Sequence, residues 1–594
     1  VKITVEGFTG IMPRYGAKTL PNNAAQVAEN VRLESGEIRP ITVSAPIAGA
    51  VLSNALSIYP IGIGSYTYLS WASDVDVARS PIADSEGRIY YTGDGVPKKT
   101  LISLATAGPG PYPNATTGWY HLGVPTPTAT LTATGTGTGT VTETRVYVYT
   151  FVNAFGSVLE ESAPSKPVTV TLTNNTAASI SNILDLTPTT NYNPSKKRLY
   201  RSVGAGAFTL VAEIPLGTTT FVDNLTLIPG DLLPSATWAP PPADLKGLCQ
   251  LPGGVLCGFR NNEIWFSEPY FPHAWPPKYM QTVNSSVVAI RPFGNNLAVA
   301  TENYPEVGSG YSPDTFTFQL VPLRAPCVSK RSMAGDEDGV LFASNEGLIS
   351  LGLNGSGIAT QQIATRYEFA GYAPSTILGC TFDRKYFGFY TTNNQIKSFV
   401  FRSGDNPPFS TLSIAATAAV IEPVTNRLVV LDSVTGKLAY VDPLDTLPMT
   451  FSWRSKVFEL PYALNMAAGL ITSPDLDNTQ QAYLEQVTAS NQLIATQNAA
   501  TFATGRLGST FNGGILNSVT VGGSTLKTPV PLPDRNISVY VYAAGNLVYT
   551  ASVTPQVPFR LPAGFTARSW EVAVSGQQAV QRIEIATSMA ELSQ

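Results

Sequence analysis

The sequence predicts a mainly β protein, a β-propeller of six or seven blades that carries an inserted β-sandwich and a smaller helix-containing insert. Three observations point there. Segments rich in Val, Thr, Tyr and Phe alternate and are bounded by Gly, Asn and Pro, the pattern of strands and tight turns. Five hairpin-like units begin at residues 255, 297, 340, 385 and 427, which lie 42, 43, 45 and 42 residues apart. A steady period of about 40–50 residues with one antiparallel hairpin per period is the mark of a propeller.

Taken in chain order, the first part covers 1–106. It holds strands near 2–6 and 26–33, a turn at Ser35-Gly36, and the pair Tyr66-Thr-Tyr-Leu-Ser-Trp71 and Arg88-Ile-Tyr-Tyr91, read as another blade. Residues 107–240 form a linker and platform insert. The linker ends in Gly135-Thr-Gly-Thr-Gly-Thr140, which lacks the Lys-Ser/Thr of a phosphate loop and opens no helix, so a flexible lead-in is expected. The insert proper, about 124–240, resembles a fibronectin type III sandwich. Tyr149 to Ser165 looks like the last two strands of that fold and Arg198 to Asp223 like its middle strands, a permuted order.

The main blades span 241–461, with turns such as Arg260-Asn-Asn-Glu263, Ser344-Asn-Glu-Gly347 and Thr392-Asn-Asn-Gln395 between paired apolar runs. No WD dipeptide is present. Residues 462–533 contain the long helix candidate, 475–504, which follows Pro474 and stops before Gly505. Leu476, Tyr483, Val487 and Ile494 give it a thin apolar stripe, and its other faces are Gln, Asn, Thr and Ala. Such a helix is suited to a neighbouring subunit, an enclosed space, or its own propeller. The strands of 534–594 are expected to share a blade with those of the N-terminus or to lie next to them, since an open propeller leaves edges that aggregate.

Charge is the compositional anomaly. Over 594 residues, Lys+Arg 37 and Asp+Glu 41 make only 13% charged residues, against about 25% in ordinary domains. The hydrophobic fraction is an unremarkable 43%. A net charge of −4 and a pI near 5.5 speak against a protein that grips nucleic acid through its phosphates. There is no apolar run long enough for a spanning helix, and VKITVEGFTG has no apolar core of a signal peptide. The two histidines, His121 and His273, read as packing residues. None of Cys249, Cys257, Cys327 and Cys380 lies in a C-x-x-C pair, so a zinc or redox motif is not expected. Cys249 and Cys257 flank a turn that can set them face to face. No catalytic, cofactor-binding or metal-binding residue is predicted.

Several stretches, in order along the chain, resemble the tail nozzle (tail tubular) proteins of short-tailed bacteriophages. They are Gly10-Ile-Met-Pro-Arg14 with Leu20-Pro-Asn-Asn-Ala-Ala25, then Phe266-Ser-Glu-Pro-Tyr-Phe-Pro-His-Ala-Trp-Pro276, the most specific. Pro326-Cys-Val-Ser-Lys-Arg-Ser332, Trp453-Arg-Ser-Lys456, Phe559-Arg-Leu-Pro-Ala-Gly564 and Ala586-Thr-Ser-Met-Ala-Glu-Leu592 follow. The resemblance implies a non-enzymatic virion protein of the phage tail, made in the host cytoplasm. It implies a homo-hexameric ring below the portal and its adaptor ring, with tail fibres or spikes as further neighbours. The ring's lumen holds packaged double-stranded DNA and passes it to the host without binding it specifically.

A sparsely charged, slightly acidic wall suits that task, because each wall cation would form phosphate contacts that slow passage. Within the resemblance, Phe266, Ser267, Glu268, Pro269, Trp275 and Pro276 mark a rigid packed corner or a contact with a neighbouring subunit or the adaptor. Two other readings compete: an adhesin or receptor-binding fibre subunit, and a propeller-type glycan-active enzyme using carboxylates among Asp314, Asp336, Glu337 and Asp338. The enzyme needs two carboxylates at a defined separation in one pocket.

Overall fold

A computed structural model describes residues 1–592 apart from 50, 53, 63, 225–229, 337, 354, 405–407, 475–477, 504–526, 531 and 533. Strands make up 47% of it and helix 8%, so the chain is mainly β. It divides into two compact units. One comprises Ala48–Ser398 and Ile414–Leu438, and the other Val1–Ile47, Phe399–Ser413 and Ala439–Gln594. The boundaries expected at 106, 240, 461 and 533 therefore do not coincide with this division.

All five predicted hairpins are present, three of them wholly within the first unit. Val255–Arg260 pairs with Glu263–Phe266, Asn296–Thr301 with Glu306–Ser309, and Gly339–Ser344 with Gly347–Gly352. Lys385–Thr392 lies beside Gln395–Phe401, and Leu428–Asp432 beside Leu438–Tyr440. Asn261, Asn393 and Asn394 supply the left-handed turn conformations that asparagine tolerates better than most residues. Each hairpin is preceded by one more antiparallel strand: Lys246–Leu251, Val287–Phe293, Ala334–Gly335, Leu378–Phe382 and Ala416–Ile421. A four-stranded sheet runs in the order Tyr120–His121, Lys98–Thr100, Ile89–Thr92, Asp76–Arg79. The hairpin Ser57–Ile61 with Thr67–Trp71 stands alone.

The insert is one continuous six-stranded sheet. Its axis is the 24-residue strand Thr132–Phe155. The first half pairs with Val168–Ser181, from Thr132↔Ser181 to Tyr147↔Val168, with register shifts at Thr136, Val141 and Thr142. The second half pairs with Pro194–Val203. The far end of Val168–Ser181 pairs with Phe221–Asp223. Tyr147, Tyr149, Leu172, Ile180, Leu199 and Ile214 fill the core between the two halves. This corrects the expectation of a flexible lead-in at 135–140. A threonine at every second place suits a pleated strand; Val168–Ser181 pairs with it up to Thr136↔Ala177 and again from Val141↔Asn175, and residues 137–140, with Gly137 at φ 74°, bulge out between these pairs.

Besides the short pair Val31–Arg32 with Arg39–Pro40, the second unit has two larger sheets among the described residues. One runs Phe409–Leu412, Ala25–Glu29, Phe451–Ser455, Ala567–Gly576, Ile537–Ala543, Asn546–Val553, and the other Lys2–Glu6, Arg582–Ala586, Ala468–Thr472, Phe559–Arg560. Ile3, Val5, Phe8, Trp453, Trp570 and Ile583 share its core. Terminal strands do pair, from Lys2↔Ala586 to Glu6↔Arg582, but within this unit rather than among the hairpin repeats. Gly10 lies against the Phe409 backbone so closely that a Cβ would sit 2.0 Å from its carbonyl oxygen. The helix spans Asn478–Ala503, within the predicted 475–504. Val487 is buried in the stripe and Ile494 half-buried, whereas Leu476 and the Tyr483 side chain lie outside the described residues. Among the described residues no helix is long and apolar enough to cross a membrane.

Candidate functional site

The repeat places successive strands side by side around one shared cavity. Ser57–Ile61, Asp76–Arg79, Lys246–Leu251, Val287–Phe293, Ala334–Gly335 and Ala416–Ile421 all contribute lining residues, among them Tyr59, Asp76, Cys249, Arg291, Asp336 and Val420. The cavity measures about 770 Å³. A seventh strand, Leu378–Phe382, packs between Ala334–Gly335 and Ala416–Ile421.

A short basic turn, Lys330–Ser332, joins distant members of this series. Lys330 Nζ lies 3.0 Å from Asp74 Oδ2 and 2.6 Å from Asp76 Oδ2. Arg331 donates to the carbonyls of Leu56, at 2.5 Å, and Thr417, at 2.6 Å. Burial raises the Asp76 carboxyl above its ordinary value, with Lys330 pulling the other way. Burial pulls Lys330 down, but the two aspartates outweigh it and leave the ammonium raised. Asp76 also accepts a hydrogen bond from the Gly247 amide at 3.1 Å. The turn thus ties the 76–79 strand to the 416–421 strand and to Leu56 at the start of the 57–61 strand. Lys330 is committed to carboxylates and Arg331 to carbonyls, whereas Arg79 and Arg291 also line the cavity.

The family-like stretch 266–276 forms a second joint. Ser267 Oγ accepts from the Leu256 amide at 2.9 Å, and Trp275 donates through Nε1 to the Pro272 carbonyl at 2.9 Å. The Trp275 amide reaches the Ala239 carbonyl at 2.8 Å. Trp275 belongs to one buried cluster with Tyr90, Leu122, Phe155, Leu245 and Leu256, which joins residues of the insert to those of the neighbouring sheet. Phe266, Ser267, Trp275 and Pro276 are buried, while Glu268 and Pro269 are half-buried. The exposed side chains of the corner are Tyr270 and Phe271.

Beneath the corner lies an ionic cluster that sequence reasoning missed. Lys99 pairs with Glu160 of the insert, both side chains 3% exposed. Lys99 also donates to the Leu122 carbonyl at 3.3 Å and lies over the Phe155 ring. His273 Nδ1 is 4.0 Å from Glu160 Oε1. Burial lowers Lys99, opposed by Glu160. Burial likewise lowers His273 from 6.5 to about 4, so it is neutral at pH 7. His121 is a packing residue too, stacked on Tyr192 at 4.4 Å. Next to this cluster Glu161 accepts from Thr150 and Tyr200, each at 2.7 Å, and from Arg198. Asp223 accepts from Tyr147 and Arg201.

Of the carboxylates weighed for catalysis, Asp336 borders the shared cavity and accepts from the amide of the exposed Asp338 at 3.0 Å, Asp314 accepts from Ser312 at 2.6 Å in an exposed loop, and Glu337 lies outside the described residues. Among the described residues no cluster of three or more His, Cys, Asp or Glu is arranged to hold a metal ion.

No family model matches the chain, and no curated protein matches it. Among solved structures it is similar to Kluyvelomyces marxianus Hsv2, at 8% identity over 47% of this chain and 72% of that one, TM-score 0.22. It is also similar to the extracellular domain of the hybrid two-component system BT4673 of B. thetaiotaomicron, at 10% identity over 71% and 43%, TM-score 0.25. A third is apo AztD of Citrobacter koseri, at 14% identity over 56% and 88%, TM-score 0.25. The chain spans less than half the length of the second of these.

Proposed function

We propose that this chain is the nozzle of a short phage tail: a structural virion protein that forms a hexameric conduit below the portal adaptor, retains packaged double-stranded DNA and passes it on during ejection. In this reading the unit of hairpin repeats is a seven-bladed propeller and the insert a permuted fibronectin type III-like platform. The insert's pairing supports that reading, since two long strands pass from one half of a sandwich to the other. The proposal rests chiefly on the order of family-like stretches along the chain, and one observation strengthens it. The most specific stretch, 266–276, is the buried joint that fixes the insert to a blade, so its residues have a reason to be what they are.

Charge supports the same reading. Lys98, Lys99, Arg145, Lys197, Arg201 and Lys330 are all engaged by carboxylates of the same chain. They offer little to a passing polyanion. The helix Asn478–Ala503, with Glu485 as its one charged residue, is suited to line the lumen or a subunit contact. The test is mass photometry with negative-stain imaging of the purified chain together with its adaptor ring. Six-fold rings with a central hole are expected. A trimer without a hole would favour the fibre reading and sink this one.

A further inference from the structure

Cys249 sits in Lys246–Leu251 and Cys257 in Val255–Arg260, the two strands joined by the Pro252–Gly254 turn. They are direct partners in the antiparallel register. Opposed positions of such a pair hold their Cα atoms about 4.5–5.5 Å apart, inside the ~4.4–6.8 Å range that a disulfide spans. The two sulfurs are 3.2 Å apart and both thiols are free. A bond needs them to close to about 2.05 Å, which small rotations about the Cα–Cβ bonds provide. Access is asymmetric. Cys249 is half-buried and borders the shared cavity, whereas Cys257 is fully buried behind it.

We infer that Cys249 and Cys257 are an oxidative modification site, a dithiol that closes to a disulfide when the protein meets a low-molecular-weight disulfide such as oxidised glutathione. Cys249, as thiolate, attacks one sulfur of the reagent and expels the other as a thiol. Cys257 then attacks Cys249 Sγ and expels the second. Both cysteine sulfurs are oxidised, the reagent's disulfide is reduced to two thiols, and the two cysteine protons end on those thiols. Burial and the neighbouring sulfur raise the Cys257 thiol well above its ordinary value, so the exposed partner reacts first. The bond would pin the strand whose Gly247 and Leu248 amides donate to Asp76 and Thr92. This inference does not depend on the nozzle reading.

Trypsin cuts after Lys246 and Arg260, so one peptide, 247–260, carries both cysteines. The native full chain is incubated with oxidised glutathione, alkylated in denaturant and mapped by mass spectrometry. The 247–260 peptide should lose two hydrogens and escape alkylation, while Cys327 and Cys380 are still alkylated, and the melting temperature should rise. In Cys257→Ser the reaction should stop with glutathione held on Cys249, and Cys249→Ser, at the half-exposed position, should take up none. A 247–260 peptide that remains fully alkylated in the wild-type chain overturns the inference.

Discussion

The six-stranded insert and the Asn478–Ala503 helix both interrupt runs of antiparallel strands, yet they hold their polar groups in opposite ways. The insert buries charge: Lys99 meets Glu160 at its joint, and Arg145 and Arg201 converge on Asp223 inside. The helix uses neutral amides at the surface. Asn491 donates to the Val530 carbonyl at 2.8 Å and accepts from its amide at 2.7 Å. Asn498 does the same with Lys527, at 2.8 and 2.9 Å. Seven helical residues rise about 10.5 Å, and three residues of extended chain cover about 10 Å, so two asparagines seven apart meet backbone groups three apart. A buried ion pair is costly to break from one side. Exposed amide pairs exchange readily with water. The insert is therefore a fixed element, and the helix is tethered by contacts that can open locally.

The largest test of this contrast is Lys99→Ala. Left buried without its partner, Glu160 should cost about 3–5 kcal/mol of stability, measured by denaturant unfolding. The double variant Lys99→Met, Glu160→Leu should recover most of that loss, because an apolar pair of similar volume does not leave a stranded charge. A single variant as stable as wild type would break the comparison.

The same joint should respond to acid. His273 is held near 4 in the fold, against 6.5 ordinarily. Between these values the unfolded chain binds a proton that the folded chain does not. Stability is thus fully present above about pH 6.5 and falls as pH drops toward 4, at a limiting slope of roughly 1.4 kcal/mol per pH unit. Melting curves from pH 7 to 4 should show this decline, and His273→Gln should flatten it. An unchanged slope in that variant would assign the acid sensitivity elsewhere.

The smallest effect is expected at the helix. Asn491→Ala removes two surface hydrogen bonds, about 1–2 kcal/mol locally. The Val530 amide should lose protection in hydrogen exchange while the global melting temperature hardly moves. A large drop in melting temperature would make the helix as structural as the insert.

What was legible in the sequence follows from range. Hairpins such as 385–401 announce themselves because turn and both strands lie within twenty residues and asparagine marks the turn. The helix is legible for the same reason, with Pro and Gly at its limits. The strand at 135–140 was hidden because its partner starts only at Val168, and glycines masked the alternation of threonines. Lys99 and Glu160 were invisible because isolated charged residues read as surface until a partner 61 positions away is placed beside them. Lys330 and Arg331 stood out only inside a family-like stretch; nothing local says that they reach Asp74, Asp76 and the carbonyls of Leu56 and Thr417. The passage of 399–413 into the other compact unit has no local signal at all.

The pairing of Lys2–Glu6 with Arg582–Ala586 has a consequence for the order of events on the ribosome. At ~5–20 residues per second, synthesis needs about half a minute to two minutes to travel from one strand to the other. Throughout that interval the first strand lacks its partner, whereas the other compact unit has all its residues once Leu438 has been made. Assembly of the molecule is thus vectorial in its middle and postponed at its edges. The final step is the late capture of an early strand, and a nascent chain stalled before residue 582 should be the species most in need of a chaperone.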